Sequence, residues 1–401
     1  MSSEFPLFRL PLIVLNHGLK LMTPFEIISL SLCSKRCNTV CQSLRNQLKC
    51  KEKAVKFQLK FSKKREIQLE FNYYPNTRWI FELEQFMAIK GNRETIIDKL
   101  YLIFQRKNSD RHELSETTYV VHIPNWIPIE RSQEDIRDHI AVEEKLLKFY
   151  VPMEDGCFGF RTFINHLSYI FNITLTDLEL HFQDFTRDEN EKIIDSYCGN
   201  RRDTNCVKSL KLIGESENTP EDDEVVDHIL SRQKAKSDLT IDILSSKFHF
   251  KENQLRYIPN QLVIRNSKWV TSVDIEYFNS FSVLIFQYHH LIWWWLVQCL
   301  IERWYFEWTP KWTVMMIEFR FVDIDTCVNR IRRFSDGDLL RSEETIEEPD
   351  GLSHRIKYSF RRNDGAIAEF LVENNKYLYI KARENTDISL STFISMTKSM
   401  M

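Results

Sequence analysis

Strand-like segments of the type Leu-x-Leu or Leu-x-Ile recur through the middle of this chain. They are Leu178–Phe182, Leu210–Ile213, Leu239–Ile243 and Leu262–Ile264, and their first residues lie 32, 29 and 23 residues apart. Helix-compatible runs at 188–197 and 224–233 separate the first three. Leucine-rich-repeat architectures bury a continuous core with such a strand and helix about every 20 to 30 residues. Because the consensus asparagine of that repeat is absent, we predict an irregular leucine-rich-repeat-like α/β layer.

Antiparallel pairs are predicted on both sides of this layer. Apolar and polar residues alternate over 55–61 and 67–71, which predicts a hairpin. Turn residues at 363–365 and 374–375 separate three later strands and predict a closing β-meander. We expect the polar, partly acidic stretch 335–353 to be a mobile loop. The predicted fold class is therefore α+β, with a large domain over 55–385 and a frayed tail over 386–401.

The first fifty residues have a different character and predict three short helices. Pro11 suits the first turn of the first helix. Thr23, Pro24 and Glu26 stand at the N-cap, N1 and N3 spacing of a capping box. A third helix carries cysteine, valine and leucine at helical spacing over 33–44. Three such helices leave much apolar surface uncovered, so the sequence predicts a small helical module that docks on a partner.

The composition argues against several classes of enzyme and binding protein. Only 9 of 401 residues are glycine, and no phosphate-binding G-x-G-x-x-G loop, P-loop or G-x-S-x-G elbow is present. A net charge of −3 argues against nucleic-acid binding by the whole chain. The basic run over 35–65 is interpreted as a solvated face, with a nucleic-acid or membrane contact as the weaker alternative.

The cysteines and histidines predict no metal site. The nine cysteines are an odd number without any CxxC pair, which favours free thiols in the cytoplasm or nucleus. Cys33, Cys37 and Cys41 lie on one helical face without a histidine at ligand spacing, so core packing is preferred. His289 and His290 are adjacent and point to different sides of any helix or strand. We therefore predict no catalytic residue, no metal and no cofactor.

One apolar segment, 281–301, has no formally charged residue and is long enough to span a bilayer. Gln287, His289, His290 and Gln298 interrupt it, and such side chains are costly in hydrocarbon. We predict a buried helix or a strand–helix pair, with a membrane span and a gene-model irregularity as alternatives. The tryptophans at 269 and over 293–312 either build a core or anchor a partner surface.

The first residues resemble an F-box. Leu10-Pro11, Leu15, Leu19, Met22-Thr23-Pro24, Ile27-Ile28, Leu30-Ser31 and Ser34-Lys35-Arg36 follow that motif in order. Two later stretches resemble the type 2 F-box-associated domain of the large nematode-type F-box family. They are the strand 262–271, which ends Asn-Ser-Lys-Trp-Val-Thr, and the hairpin at 361–368 with 376–380. The aromatic run within 277–312 departs from that family's usual polar stretch.

The resemblance implies an F-box over 5–50 and a substrate-recognition domain over 55–385, with a type 2 core at about 175–275. It implies a non-catalytic substrate receptor of a cullin-RING ubiquitin ligase. The F-box of such a receptor docks on a Skp-type adaptor and, through the adaptor, on a cullin. The larger domain binds an unidentified protein target. The alternatives are a non-ligase interaction scaffold, and an enzyme or membrane-associated protein whose site the sequence does not reveal. The resemblance assigns adaptor docking to nine residues, each of which could instead be module core: Leu10, Pro11, Leu12, Leu15, Leu19, Pro24, Ile27, Ile28 and Leu30.

Overall fold

The computed structural model describes residues 10–47, 54–71, 77–86, 100–104, 117–121, 143–152, 156–199, 207–288, 293–306, 308–330, 339–348, 351–382 and 388–398. Its contacts divide the chain into two units. Unit 1 comprises Met1–Glu179 and Arg202–Val207, and unit 2 comprises Leu180–Arg201 and Lys208–Met401. The expected domain boundary near residue 50 falls inside unit 1.

Unit 1 begins with the three predicted helices, α1 (Leu12–Lys20), α2 (Pro24–Cys33) and α3 (Lys35–Gln47). Helix α1 follows Pro11, and α2 begins with the predicted capping box. In that box the Thr23 hydroxyl accepts from the Glu26 backbone N–H at 3.3 Å, while the Glu26 carboxylate accepts from the Thr23 N–H at 2.7 Å. These reciprocal bonds satisfy two backbone donors that a helix start otherwise leaves open.

A sheet and one further helix complete unit 1. Its strands are β1 (Ala54–Phe61), β2 (Arg65–Phe71), β3 (Thr77–Phe86), β4 (Leu100–Phe104), β5 (Thr117–Val121) and β6 (Glu143–Pro152), and its helix is α4 (Gly156–Phe171). They lie in the order β1-β2-β3-β6-β5-β4. The predicted hairpin is confirmed, because β1 and β2 pair in antiparallel from Phe61 opposite Arg65. Strand β7 (Asp177–His181) contains the boundary between the units.

Unit 2 alternates strands and helices and then ends in antiparallel strands. Its elements are α5 (Arg187–Tyr197), β8 (Ser209–Glu217), α6 (Pro220–Arg232), β9 (Asp238–Leu244), β10 (Gln261–Ile264), α7 (Ser272–Tyr277), β11 (Ser282–Tyr288), α8 (Trp293–Tyr305), β12 (Val314–Phe319), α9 (Ile324–Arg330), β13 (Leu339–Glu348), β14 (Gly351–Arg361), β15 (Ile367–Glu373), β16 (Tyr377–Lys381) and α10 (Leu390–Lys398). Strands β8 to β12 are parallel neighbours, and the predicted meander β14-β15-β16 joins β12 in antiparallel. The observed class is a mixed α/β fold with a large mixed sheet, consistent with the predicted α+β class.

The apolar segment 281–301 contains a strand and the start of a helix, as one of its interpretations predicted. Ser282–Tyr288 forms β11, which lies between β10 and β12 and is buried on both faces. Helix α8 buries Leu296, Val297, Leu300, Ile301 and Trp304. A strand in a sheet cannot belong to a membrane-spanning helix, so the alternative of a membrane-spanning helix does not hold for residues 282–288. No helix within the described ranges combines the length and apolar character that crossing a membrane requires.

Two expectations of irregular structure fail. Residues 339–348, expected within a mobile loop, form β13, which pairs continuously with β14 from Leu339 opposite Phe360 to Glu348 opposite Gly351. Residues 390–398, expected to be frayed, form α10. Leu390, Phe393 and Ile394 are buried in a cluster with Val263, Leu284, Val314 and Tyr379. These three apolar residues lie at helical spacing and pack against the face of the sheet. Because this contact buries their side chains, it favours an ordered helix.

Candidate docking site

One face of α1 and the residues that flank it carry apolar side chains that are exposed. Leu10 is 42% exposed, Ile13 82%, Val14 50% and Leu21 76%. Ile13, Val14, exposed His17 and Leu21 stand at i, i+1, i+4 and i+8, which is the spacing of a single helical face. Leu10 lies just before the helix, ahead of its N-cap Pro11. We call these five residues the outer stripe. Exposed leucine, isoleucine and valine at this spacing are typical of a helix that fits into a partner's groove.

The opposite face of α1 holds two of the predicted docking residues in the core. Leu15 and Leu19 are 5% and 1% exposed, and they pack against Met22, Leu30 and Val40 of the same module. Their burial means that they support the outer stripe from beneath. Both leucines therefore pack inside the module, which is the alternative role that the sequence left open for them.

The remaining predicted docking residues divide between surface and core. Pro11 is exposed, Ile27 and Leu30 are half-buried, and Pro24 and Ile28 are buried. Leu12 begins α1, but its side chain lies outside the described residues. The structure thus brings Leu10 and Pro11 to the surface beside three residues that the resemblance did not name, Ile13, Val14 and Leu21.

A buried polar contact fixes α2 to α4. The Ser31 hydroxyl donates to the Ile28 carbonyl oxygen at 2.7 Å and lies 2.8 Å from Nε2 of His166. Burial lowers the pKa of His166 to about 4, so the imidazole is neutral at pH 7. A neutral ring satisfies the hydroxyl without placing an unpaired charge in the interior.

The residues that carry the family resemblance in unit 2 are structural. Trp269 of the Asn-Ser-Lys-Trp stretch is 1% exposed and meets Phe248 edge to face at 4.9 Å. Thr271 then caps α7, with its hydroxyl and backbone N–H both donating to Asp274. These contacts explain why tryptophan and threonine stand at this spacing, and they leave neither side chain available to a partner.

The closing hairpin is held by Arg362. Its guanidinium donates to Asp364 at 2.9 and 2.6 Å, donates to the Trp304 carbonyl at 3.2 Å, and lies 5.3 Å from the centroid of the Trp304 ring. The hydrogen bonds from Arg362 lower the pKa of Asp364 to about 2. Gly365 follows with φ +88°, a conformation that favours glycine.

The tryptophans serve mainly as core. Trp269, Trp304 and Trp312 are 1–2% exposed, whereas Trp295 is 45% exposed on α8. The three buried rings form core, as one of the two interpretations predicted. Trp295 is exposed, and a role for it in partner contact stays a prediction.

The described residues contain no cluster of metal-ligating side chains. Among them, no group of three or more histidine, cysteine or acidic side chains could hold a metal. Burial raises the pKa of Cys41 to about 12 and also raises that of Cys33, so both remain neutral thiols at pH 7. His289 and His290 lie outside the described residues.

Comparisons with protein-family models, with curated proteins and with solved structures found no match to this chain.

Proposed function

We propose that this chain is a substrate receptor of a cullin-RING ubiquitin ligase. Its N-terminal helices, in this proposal, are an F-box that docks on a Skp-type adaptor, and the larger domain binds a protein target. The observation that carries the proposal is the outer stripe: an apolar helical face, within the segment that resembles an F-box, that is open to a partner.

The geometry refines the docking residues. We assign direct contact to Leu10, Pro11, Ile13, Val14 and Leu21, and we assign Leu15, Leu19, Pro24 and Ile28 to the core that holds them in place. Ile27 and Leu30 are half-buried and belong to the edge between these sets. Fully burying one such aliphatic side chain stabilises a complex by about 1.5–3 kcal/mol, so each contact changes the affinity by about tenfold or more.

A receptor of this kind makes no bond itself. It holds the target beside the enzyme that carries activated ubiquitin. The encounter between a target lysine and that enzyme then takes place within one complex, at a high effective concentration. The chemistry of ubiquitin transfer then belongs to the other subunits, in keeping with the prediction that this chain is not an enzyme.

We also propose that strands β7 to β12 form the irregular leucine-rich-repeat-like layer of the target-binding domain. Strands β7 to β10 begin at residues 177, 209, 238 and 261, and β8 to β12 are parallel neighbours with helices between several of them. Helices on a parallel sheet bury a continuous core, as stacked repeats do.

Co-purification tests this proposal against the non-ligase scaffold. The tagged full chain is expected to retain both a Skp-type adaptor and a cullin from cell extract. Adaptor without cullin would favour the scaffold. Absence of the adaptor would contradict the docking role, provided that the chain is folded by circular dichroism.

A further inference from the structure

Strand β13 is an open edge of the sheet in unit 2. It stands at one end of the strand order. It pairs with β14 on one side and has no described strand on the other. An edge strand leaves a row of backbone N–H and C=O groups free to pair with another chain. The edge is ten residues long, and its pairing with β14 runs without a bulge.

Most devices that protect natural edge strands are missing here. Short length, bulges and proline within the strand all block edge-to-edge pairing. β13 has none of these, and it exposes Leu340 at 66%. The protection that remains is charge, because the strand contains Glu343, Glu344, Glu347 and Glu348 against the single cation Arg341.

Two of these glutamates lie outside the ion pairs of the described residues, although Glu344 stands directly across from Arg355 of β14, whose guanidinium binds Glu373. Glu343 lies 3.0 Å from Nη1 of Arg341 and 2.6 Å from Nε2 of His354. Glu344 and Glu347 are exposed and form no ion pair with any other described residue. The edge therefore presents open backbone groups together with a net negative charge, because four glutamates stand against one arginine within the strand.

We propose that β13 is the docking edge for an extended, lysine- or arginine-rich segment of a partner protein. The segment adds a strand beside β13, and its cations lie across from Glu344 and Glu347. A second copy of this chain is the poorer occupant, since edge-to-edge pairing would bring acidic strands together and like charges in facing strands are destabilising. Backbone pairing supplies the attachment, and the charge selects the partner.

This inference rests on the proposed function in one respect: the basic segment that pairs with β13 would belong to a target of the ligase. Binding at β13 needs neither the adaptor nor the outer stripe, so the two are measured separately. A failure at the edge with adaptor binding intact counts against this inference alone.

The probe is a fluorescein-labelled ten-residue peptide of valine and threonine with two lysines three residues apart, titrated with the full chain by fluorescence polarisation. Because side chains alternate along a strand, this spacing places one lysine on each face, across from Glu344 and Glu347. We expect binding that falls about tenfold or more in the double variant Glu344→Lys with Glu347→Lys. The matched control makes the same charge change elsewhere in unit 2, at exposed Glu217→Lys with Glu252→Lys, and is expected to bind as the wild type does. Circular dichroism and adaptor binding check that each variant is folded.

A second peptide separates strand addition from simple charge attraction. It carries N-methyl groups on two successive central residues, which block both of its edges while its charge is unchanged, and we expect its binding to fall about tenfold or more. Three results would overturn the inference: no binding of the parent peptide, equal binding of the N-methylated peptide, or equal loss in the control variant. Sedimentation that shows wild-type self-association altered by the β13 charge reversal would also overturn it, because the occupant would then be a second copy.

Discussion

Phe25 on α2 meets Trp79 on β3 edge to face, with ring centroids 4.8 Å apart and planes at 90°. The same phenylalanine meets Phe81 at 5.0 Å, and all three rings are buried. The helical module is thus fixed to the sheet of unit 1, and the outer stripe lies on α1 of a module that is itself packed in place. Such rigidity lowers the entropy that docking would otherwise cost.

Replacing Phe25 with alanine is expected to destabilise the protein by about 3–5 kcal/mol, the usual cost of emptying a buried phenylalanine site. Urea unfolding monitored by tryptophan fluorescence measures the change. Leu21→Ala is the control, because a surface substitution is expected to shift the unfolding free energy by no more than about 0.5 kcal/mol. Equal effects of the two variants would refute this packing.

His166 predicts a specific dependence of stability on pH. Its pKa is about 4 in the folded protein and near 6.5 when unfolded, so between these values the unfolded state binds more protons. Stability is therefore fully present above about pH 6.5 and falls as the pH drops toward 4, by at most about 1.4 kcal/mol per pH unit for one proton. Urea unfolding at several pH values should show this slope, and His166→Gln should remove His166's share of it.

Arg362 and its neighbour Arg361 form a natural pair of variants. Arg362→Ala removes the contact with the Trp304 ring and the bond to its carbonyl, and is expected to cost about 1–3 kcal/mol. Arg361 is exposed, so Arg361→Ala should change the unfolding free energy by no more than about 0.5 kcal/mol. Thermal unfolding of both variants decides whether the first arginine of the motif is equally structural.

Glu373 connects the meander to α10. It accepts from Arg355 at 2.8 Å and Ser353 at 3.0 Å, and Lys398 lies 3.1 Å away. Burial alone would raise the pKa of Glu373, but the bonds from Arg355 and Lys398 outweigh it and the pKa lies below its ordinary value.

Glu373→Ala leaves the buried Arg355 guanidinium without its carboxylate and is expected to cost about 3–5 kcal/mol. Lys398→Met removes the more exposed partner and should cost about 1 kcal/mol or less. Chemical unfolding compares the two. A larger loss for the lysine variant would contradict the assignment of Arg355 as the principal partner.

Local signals were sufficient to predict many elements of this fold. The Thr23 capping box and the turns at Asp364-Gly365 and Asn374-Asn375 depend on a few neighbouring residues, so the sequence predicts them correctly. The parallel strands were equally visible, because alternating or continuous apolar runs bounded by polar residues need little tertiary context.

Features that depend on distant contacts were not predictable in the same way. Both faces of α1 are apolar, and only the packing of Met22, Leu30 and Val40 against Leu15 and Leu19 decides which face is buried. The outer stripe residues Ile13, Val14 and Leu21 were missed for this reason.

The acidic strand and the terminal helix were mispredicted for a related reason. Charge indicated a loop at 339–348, yet an edge strand needs a partner on one side only and tolerates exposed charge on the other. The spacing of Leu390, Phe393 and Ile394 was already helical in the sequence, but the sheet that buries them is assembled from strands more than a hundred residues apart.

The affinity of the full chain for a purified Skp-type adaptor tests the central claim most directly. Ile13→Asp with Leu21→Asp places two carboxylates in the outer stripe, and Thr39→Asp places one on an exposed position of α3. Calorimetry should show binding by the wild type and by Thr39→Asp, and a loss of about a hundredfold or more in the stripe variant at unchanged melting temperature. Equal affinity of the folded stripe variant, or no adaptor binding by the wild type, would contradict the account.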